Sequence, residues 1–177
     1  MAGDVLRVGR IHRRAKRTRK LPLRSCAVNA NWRESGRARV LVVREQRDGR
    51  MVVGRFVVDL WCMGLVRAEV MADVGVPALT QLRRETFGDG PPVACTPELA
   101  ASIVLGGIDY AARLGFEPHP AWNIAQHVLP PRPRRGEAVE FGRDGLPCYV
   151  AGDGDDEIVL AQLEAKLGEG AFNVLLR

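Results

Sequence analysis

The run Val40-Leu41-Val42-Val43 constrains the fold of this chain more than any other feature. Four consecutive apolar residues, three of them β-branched, favour a strand over a helix, and the run is followed at once by Arg44-Glu45. Successive side chains of a strand point to opposite faces, so an unbroken apolar run places apolar groups on both. We therefore predict a strand at residues 39–45 that is buried on both faces.

A hairpin is predicted after this strand. Asp48-Gly49 is a strong signal for a tight turn, and the chain then returns as a second strand at residues 51–62. The even positions of the returning strand are apolar or small and predict a core face: Val52, Gly54, Phe56, Val58, Leu60 and Cys62. The odd positions form a mixed face that predicts partial cover by another element: Met51, Val53, Arg55, Val57, Asp59 and Trp61.

Capping residues and apolar periodicity predict the remaining elements. The predicted helices lie at residues 77–87, 96–114, 120–128 and 155–167. The predicted strands lie at residues 25–32 and 172–176, and in a second hairpin that joins 138–141 to 148–151. Residues 66–74 fit either a short helix or an irregular sheet edge.

The order of three strands, a helical middle, a hairpin, a helix and a final strand predicts an α+β fold, with a largely antiparallel sheet packed against helices in a single domain at residues 25–177. Within the long helix, Gly106-Gly107 predicts close approach of a neighbouring backbone. Residues 130–136 are rich in Pro and Arg and predict an extended surface linker, because neither a helix nor a central strand accepts several prolines.

Charge is distributed unevenly along the chain. Residues 1–24 hold nine basic side chains and one acid, a formal charge of +8, whereas residues 25–177 carry −3. A segment of this charge repels itself and has little apolar surface to bury, so we predict a disordered arm at residues 1–24. Its basic side chains are the predicted polyanion-binding set: Arg7, Arg10, Arg13, Arg14, Lys16, Arg17, Arg19, Lys20 and Arg24.

The arm could also be a solubilising tail or a contact for an acidic surface. Arg outnumbers Lys 23 to 3 over the whole chain, which is typical of a compositional bias of the coding genome and would make the arm a tail. An acidic protein or membrane surface is a further possible partner. A uniform bias, however, would not leave the other 153 residues with a net negative charge. The clustering therefore favours contact with RNA or another polyanion through residues 7–24.

The four cysteines, Cys26, Cys62, Cys95 and Cys148, stand 36, 33 and 53 residues apart. This spacing lacks the paired C-x-x-C arrangement of a zinc site. We predict buried, reduced thiols, no bound metal and no cofactor. No apolar stretch approaches the roughly 18–20 residues of a membrane-spanning helix, and a secretory signal is absent, so we expect a cytoplasmic protein without a membrane partner.

Asp59 and His119 are the candidate catalytic residues. Asp59 stands in an apolar strand, where burial raises a carboxyl pKa unless a cation or a hydrogen bond stabilises the charge. Its structural alternative is to pair with a basic side chain or to cap the following turn. His119 lies between Pro118 and Pro120, which can present its imidazole rigidly as an acid, a base or a phosphate ligand.

These observations predict a small polyanion-binding protein, associated with RNA or a ribonucleoprotein, in which the arm supplies affinity. One alternative is a phosphodiester hydrolase of a nuclease-like kind that uses Asp59 and His119. Another is an assembly protein without catalysis, whose arm binds an acidic partner. Whether the chain is an enzyme stays open at this stage. Convergence of Asp59 and His119 in one cleft would favour the hydrolase.

Overall fold

The apolar run lies in strand β2, Arg37–Glu45, and each of its four residues is at most 1% exposed. Strand β3, Met51–Asp59, pairs antiparallel with β2 in an unbroken register over nine residue pairs. The turn between the strands is closed by the Gln46 amide, which donates to the Arg50 carbonyl at 2.7 Å. The burial of this strand on both faces and the hairpin are both confirmed.

A computed structural model describes residues 17–88, 90–152 and 156–176. Three further strands join β2 and β3: β1, Leu23–Asn29; β4, Gly64–Val74; and β5, Pro92–Ala94. Together they form an antiparallel sheet in the order β4-β3-β2-β1-β5. Four helices accompany the sheet: α1, Trp32–Ser35; α2, Val76–Phe87; α3, Pro97–Arg113; and α4, Trp122–Ala125. The predicted α+β class, with helices packed on a largely antiparallel sheet, is confirmed.

The C-terminal part of the described chain forms a small βαβ unit. It consists of β6, Cys148–Ala151, helix α5, Asp156–Leu167, and β7, Asn173–Leu176. β6 and β7 pair in parallel, which requires a crossover connection between them, and α5 supplies it. The predicted helix and final strand are confirmed here.

Residues 66–74 belong to the edge strand β4, so the irregular-edge alternative is the correct one. The register of β4 with β3 shifts twice, between the partners of Met51 and Val53 and between those of Val57 and Val58. Such a bulge interrupts the two-residue alternation of side chains, which is why the sequence pattern did not identify a strand. β4 and β5 are two strands that the predicted element order lacked.

α3 covers the face of the sheet that the sequence assigned to the core. Its start is capped as expected, because the Thr96 Oγ1 accepts the Leu99 amide at 3.0 Å. Where α3 meets β4, a Cβ atom added to Gly64 would lie 2.5 Å from the Gly107 carbonyl oxygen. The predicted close backbone approach is therefore confirmed at Gly107, whereas Gly106 faces the Phe141 ring.

α2 covers only the hairpin end of the opposite face. Its Phe87 is buried there against apolar side chains of four strands: Ala27, Leu41, Val43, Met51, Val53 and Val74. Partial cover of the mixed face, as predicted, is confirmed. The far end of this face lies beyond α2.

The second predicted hairpin is wrong. A tight turn does form, since Arg143 and Leu146 exchange backbone hydrogen bonds of 2.7 and 3.1 Å, but residues 138–141 form no strand. The two flanks instead bind the turn after β3: the Gly142 amide donates to the Leu60 carbonyl and the Cys148 amide to the Trp61 carbonyl, each at 2.9 Å. These long-range acceptors replace the strand pairing that the turn signal predicted.

The predicted helix at residues 120–128 is reduced to the single turn of α4. Carbonyls that follow α4 accept hydrogen bonds from the buried guanidinium of Arg44 in β2 rather than from amides of a longer helix. Its Nε donates to the Val128 carbonyl at 2.7 Å and its Nη2 to that of Leu129 at 3.4 Å, while Nη1 donates to the Leu21 carbonyl at 2.7 Å. Arg44 thereby ties two chain segments to the sheet. Residues 130–136 continue without helix or strand.

All four cysteines are free thiols, and Cys26, Cys62 and Cys148 are buried. Burial raises the pKa of Cys26 and of Cys62 to about 12, and that of the partly buried Cys95 to about 11. The predicted buried, reduced thiols are confirmed for Cys26, Cys62 and Cys148, and Cys95 is the exception in burial.

The contact between Gly64 and Gly107 can be tested by the substitution Gly64→Ala. Both Gly64 and Gly49 have a positive φ, +65° and +78°, but a Cβ atom at Gly49 meets nothing within 4 Å. Gly49→Ala should therefore lose only about 1–2 kcal/mol of stability, the cost of a residue with a Cβ atom in a left-handed conformation. Gly64→Ala should lose about 1–3 kcal/mol more, because its methyl group overlaps α3. Urea unfolding of both variants measures the difference, and equal losses would contradict the contact.

Candidate functional site

Beyond α2 the mixed face of the sheet is open, and a cavity of about 440 Å³ lies there. Opposed residues of antiparallel strands share a face, so the odd positions of β2 and β3 and their partners in β4 line this cavity together. Basic side chains from three neighbouring strands define what we call the arginine cleft: Arg37 and Arg39 of β2, Arg55 of β3 and Arg67 of β4.

Two glutamates balance part of this charge. The Arg67 Nε donates to Glu69 Oε1 at 2.7 Å, and Arg55 Nη1 lies 3.4 Å from Glu69 and 3.6 Å from Glu85. Ion pairs exposed to this degree contribute about 0–1 kcal/mol, so another anion can replace a glutamate as the partner of either arginine. With four arginines against two glutamates, the cleft keeps an excess of positive charge.

Asn29 fixes the backbone that carries Arg37 and Arg39. Its Oδ1 accepts the Arg39 amide at 2.7 Å, and its Nδ2 donates to the Arg37 carbonyl at 3.0 Å. β1 ends at Asn29, so the Asn29 side chain continues the hydrogen bonding to β2 beyond the last residue of β1. The exposed Arg39 and the half-buried Arg37 are thus presented from a rigid strand end.

Asp59 lies at the end of β3, in a second cavity of about 450 Å³ that shares Arg37 with the arginine cleft. Its Oδ1 accepts the amides of Trp61 at 2.9 Å and of Cys62 at 3.1 Å. These are the contacts of a residue that caps the following turn, the structural alternative for this position.

Burial raises the pKa of Asp59 above its usual value, and the amides of the following turn and the nearby Arg37 counteract that shift. The carboxylate is therefore harder to ionise than an exposed one, but it is already engaged by the turn. A perturbed carboxyl group in a cavity is a candidate for acid–base chemistry only if a second reactive group faces it.

His119 is not that second group. The described lining of the cavity that contains Asp59 does not include His119. Its amide donates to the Leu65 carbonyl at 2.9 Å, and its Nδ1 accepts the Ala121 amide at 3.2 Å. The cavity of Asp59 therefore does not join the two candidate catalytic residues, and each makes contacts that stabilise a local turn.

The structure describes four of the basic residues of the predicted arm. Arg17, Arg19 and Lys20 are exposed, and Arg19 Nη2 lies 3.4 Å from the Gln126 carbonyl. Arg24 is a residue of β1 and pairs with Glu45 at 3.0 Å, so it lies within the sheet. The other predicted polyanion-binding residues lie outside the part of the chain that the structure describes: Arg7, Arg10, Arg13, Arg14 and Lys16.

Over residues 17–88, 90–152 and 156–176, no group of three or more His, Cys, Asp or Glu side chains is close enough to hold a metal ion. Within the same ranges no helix has the length and apolar character needed to cross a membrane. Comparison with protein-family models, curated proteins and solved structures finds no match to this chain.

The arginine cleft was not identified from the sequence. The alternation Arg37-Ala38-Arg39 and the mixed face of β3 were the available signals, since they place Arg37, Arg39 and Arg55 on odd positions. What joins them is the register that sets Arg39 opposite Val57 and Arg37 opposite Asp59. The contribution of Arg67 depends on β4, which the pattern left ambiguous.

The raised pKa of Asp59 predicts how stability depends on pH. When the pKa of a carboxyl group is higher in the folded state, the protein loses stability as the pH rises from the unfolded-state pKa, 3.8 for Asp59, through the folded-state pKa. Asp59→Asn keeps the acceptor for the turn amides and removes this loss. The variant should therefore be at least as stable as wild type at pH 7, with an advantage that disappears below about pH 4. Thermal unfolding between pH 3.5 and 8 measures the difference.

Asp48→Asn is the matched control, because the exposed Asp48 accepts the Arg50 amide in a similar turn contact at 3.1 Å. It should show no such advantage. Asp59→Ala should lose about 1–3 kcal/mol, because it leaves the amides of Trp61 and Cys62 without their acceptor. If Asp59→Asn loses more than about 1 kcal/mol at pH 7, the charge itself stabilises the fold, and the prediction is wrong.

Proposed function

We propose that this protein binds a polyanion, RNA or a ribonucleoprotein component, in the cytoplasm, through the arginine cleft and the basic N-terminal segment. The observation that supports the proposal most strongly is the arrangement of Arg37, Arg39, Arg55 and Arg67 on one open face of three adjacent strands. Guanidinium groups match phosphate oxygens with paired hydrogen bonds, and contacts of this kind supply affinity that does not depend on sequence.

The polar lining of the arginine cleft supports a charged ligand over an apolar small molecule. Small-molecule sites are lined mainly by apolar and aromatic groups, whereas the lining of the arginine cleft includes four arginines and two glutamates. The glutamates do not prevent anion binding, since their ion pairs are weak and accessible to competing phosphate. They reduce the net gain of each phosphate contact instead, because the ion pair must be broken first.

The hydrolase alternative receives no support from its two candidate residues. Asp59 contacts turn amides, and His119 accepts the Ala121 amide outside the described lining of the cavity of Asp59. An assembly protein that binds an acidic partner uses the same basic surface, so it is distinguished by the ligand rather than by the site. A polyglutamate chain is the probe for that alternative.

The proposal predicts that Arg39→Gln weakens binding to a 12-nucleotide single-stranded RNA. Loss of one phosphate contact should reduce the slope of log K against log salt by about 0.7 and the affinity at 0.1 M salt by about fivefold. Arg83→Gln is the matched control, because Arg83 is an exposed residue of α2 that does not line the arginine cleft. Fluorescence anisotropy between 50 and 200 mM salt measures both variants.

The role of the N-terminal segment is tested by deleting residues 1–16. This deletion removes five basic side chains and keeps the Leu21 carbonyl that binds Arg44 and the start of β1, which a deletion to residue 24 would destroy. We expect the deletion to decrease the slope of log K against log salt further than Arg39→Gln does.

Two outcomes would contradict the proposal. Equal binding by Arg39→Gln and wild type would exclude the arginine cleft as the site, and tighter binding of polyglutamate than of RNA would favour the acidic partner.

A further inference from the structure

Trp61 lies where two cavities meet, next to the arginine cleft. One cavity contains Arg37, which it shares with the arginine cleft, and the other extends along residues 138–144. Trp61 and Arg143 line both of these cavities. The indole is half-buried, so part of its surface is open to a ligand that follows the sheet from the arginines.

One side of the indole rests on a glycine. A Cβ atom added to Gly36 would lie 2.2 Å from Trp61 Cδ2 and 2.2 Å from Cε2, so only glycine allows the ring to approach this backbone. Gly36 also has a φ of +66°, a conformation that glycine adopts without steric cost. The ring is thus held in a fixed position against the chain that leads into β2.

A guanidinium also lies over the indole. The Cζ of Arg143 lies over the Trp61 ring, 5.0 Å from its centre. The turn that contains Arg143 is hydrogen-bonded to the backbone beside the ring. The Cys148 amide donates to the Trp61 carbonyl and the Gly142 amide to the Leu60 carbonyl. The Arg143 side chain is 44% exposed, which leaves its outer surface accessible.

Arg143 over Trp61 forms a cation–π pair with an exposed outer surface, which we call the stack. Beside a row of arginines, the stack fits a nucleic acid whose bases are unpaired. Unpaired bases stack on aromatic rings and on arginine guanidinium planes, while a regular duplex keeps its base faces covered. Inorganic polyphosphate and polyglutamate have no base and cannot use such a stack. The stack therefore adds a recognition element that positive charge alone does not supply.

We propose that the stack of Trp61 and Arg143 binds a base of a single-stranded nucleic acid whose phosphates contact the arginine cleft. This inference rests on the proposed polyanion-binding function and names its ligand class. Arg37, which lines both the arginine cleft and the cavity beside Trp61, connects the phosphate contacts to the stack.

The test uses the full chain and variants that conserve charge. Arg143→Lys keeps the positive charge but removes the planar group, and Arg113→Lys is its matched control, because Arg113 lies 5.4 Å from the centre of the Tyr110 ring on α3. The ligands are 12-nucleotide RNA and DNA single strands of one sequence, the corresponding duplex, and inorganic polyphosphate of similar length. Anisotropy, with polyphosphate as a competitor, gives the affinities.

We expect wild type to bind the single strands more tightly than the duplex and polyphosphate. Arg143→Lys should weaken single-strand binding about fivefold or more and leave polyphosphate binding unchanged, whereas Arg113→Lys should change neither. Trp61→Leu, with its melting temperature checked, should produce the same selective loss. A preference for the RNA strand over the DNA strand identifies RNA as the source of the base, and equal affinities identify single strands of both kinds as ligands.

Equal loss for polyphosphate and single strands, or no loss in Arg143→Lys, would overturn the stacking inference while leaving polyanion binding intact. Duplex binding as tight as single-strand binding would also overturn it. If wild type shows no salt-dependent binding to any of the four ligands, the proposed function itself is wrong, and the inference with it.

Discussion

The structure depends on the burial of the β2–β3 hairpin on both faces. The apolar run of β2 needs cover on each side, and two different elements provide it: α3 on one face and α2 on the other. A helix of twelve residues extends about 18 Å, whereas nine-residue strands extend about 30 Å. α2 packs on the hairpin end, where the odd positions are apolar. Beyond it, the odd positions of β2 are Arg39 and Arg37 and β3 contributes Arg55, so the uncovered end becomes the arginine cleft.

Polar groups at the two ends of the hairpin hold this arrangement together. At one end the buried Arg44 guanidinium donates to three carbonyls, from Leu21, Val128 and Leu129, and burial lowers its pKa. At the other end Asp59 caps the turn after β3, and carbonyls of that turn accept the amides of Gly142 and Cys148. The buried Arg44 and the partly buried Asp59 both have partners, as polar groups in a packed interior require. The same contacts that close the core position Trp61 and Arg143 beside the cleft.

The arginines of this protein have two distinct kinds of surroundings. Arg44 acts structurally, because its guanidinium is enclosed by backbone carbonyls. The arginines of the cleft are at least partly exposed, and two of them form ion pairs with the accessible carboxylates of Glu69 and Glu85. In the proposed function, these exposed guanidinium groups contact phosphate, and the basic N-terminal segment adds to the attraction. In this proposal, affinity comes from many weak contacts and selectivity from the stack beside them.

The sequence by itself determined the elements whose signals are local. The apolar run specified β2, Asp48-Gly49 specified the hairpin, and Thr96-Pro97 specified the start of α3, since each depends on neighbouring residues only. Tertiary structure decided the rest. The second Asp-Gly turn formed without a hairpin, because its flanks found carbonyl acceptors at Leu60 and Trp61. The arginine cleft required the register of three strands and a bulge in β4, which are set by long-range packing rather than by local propensity.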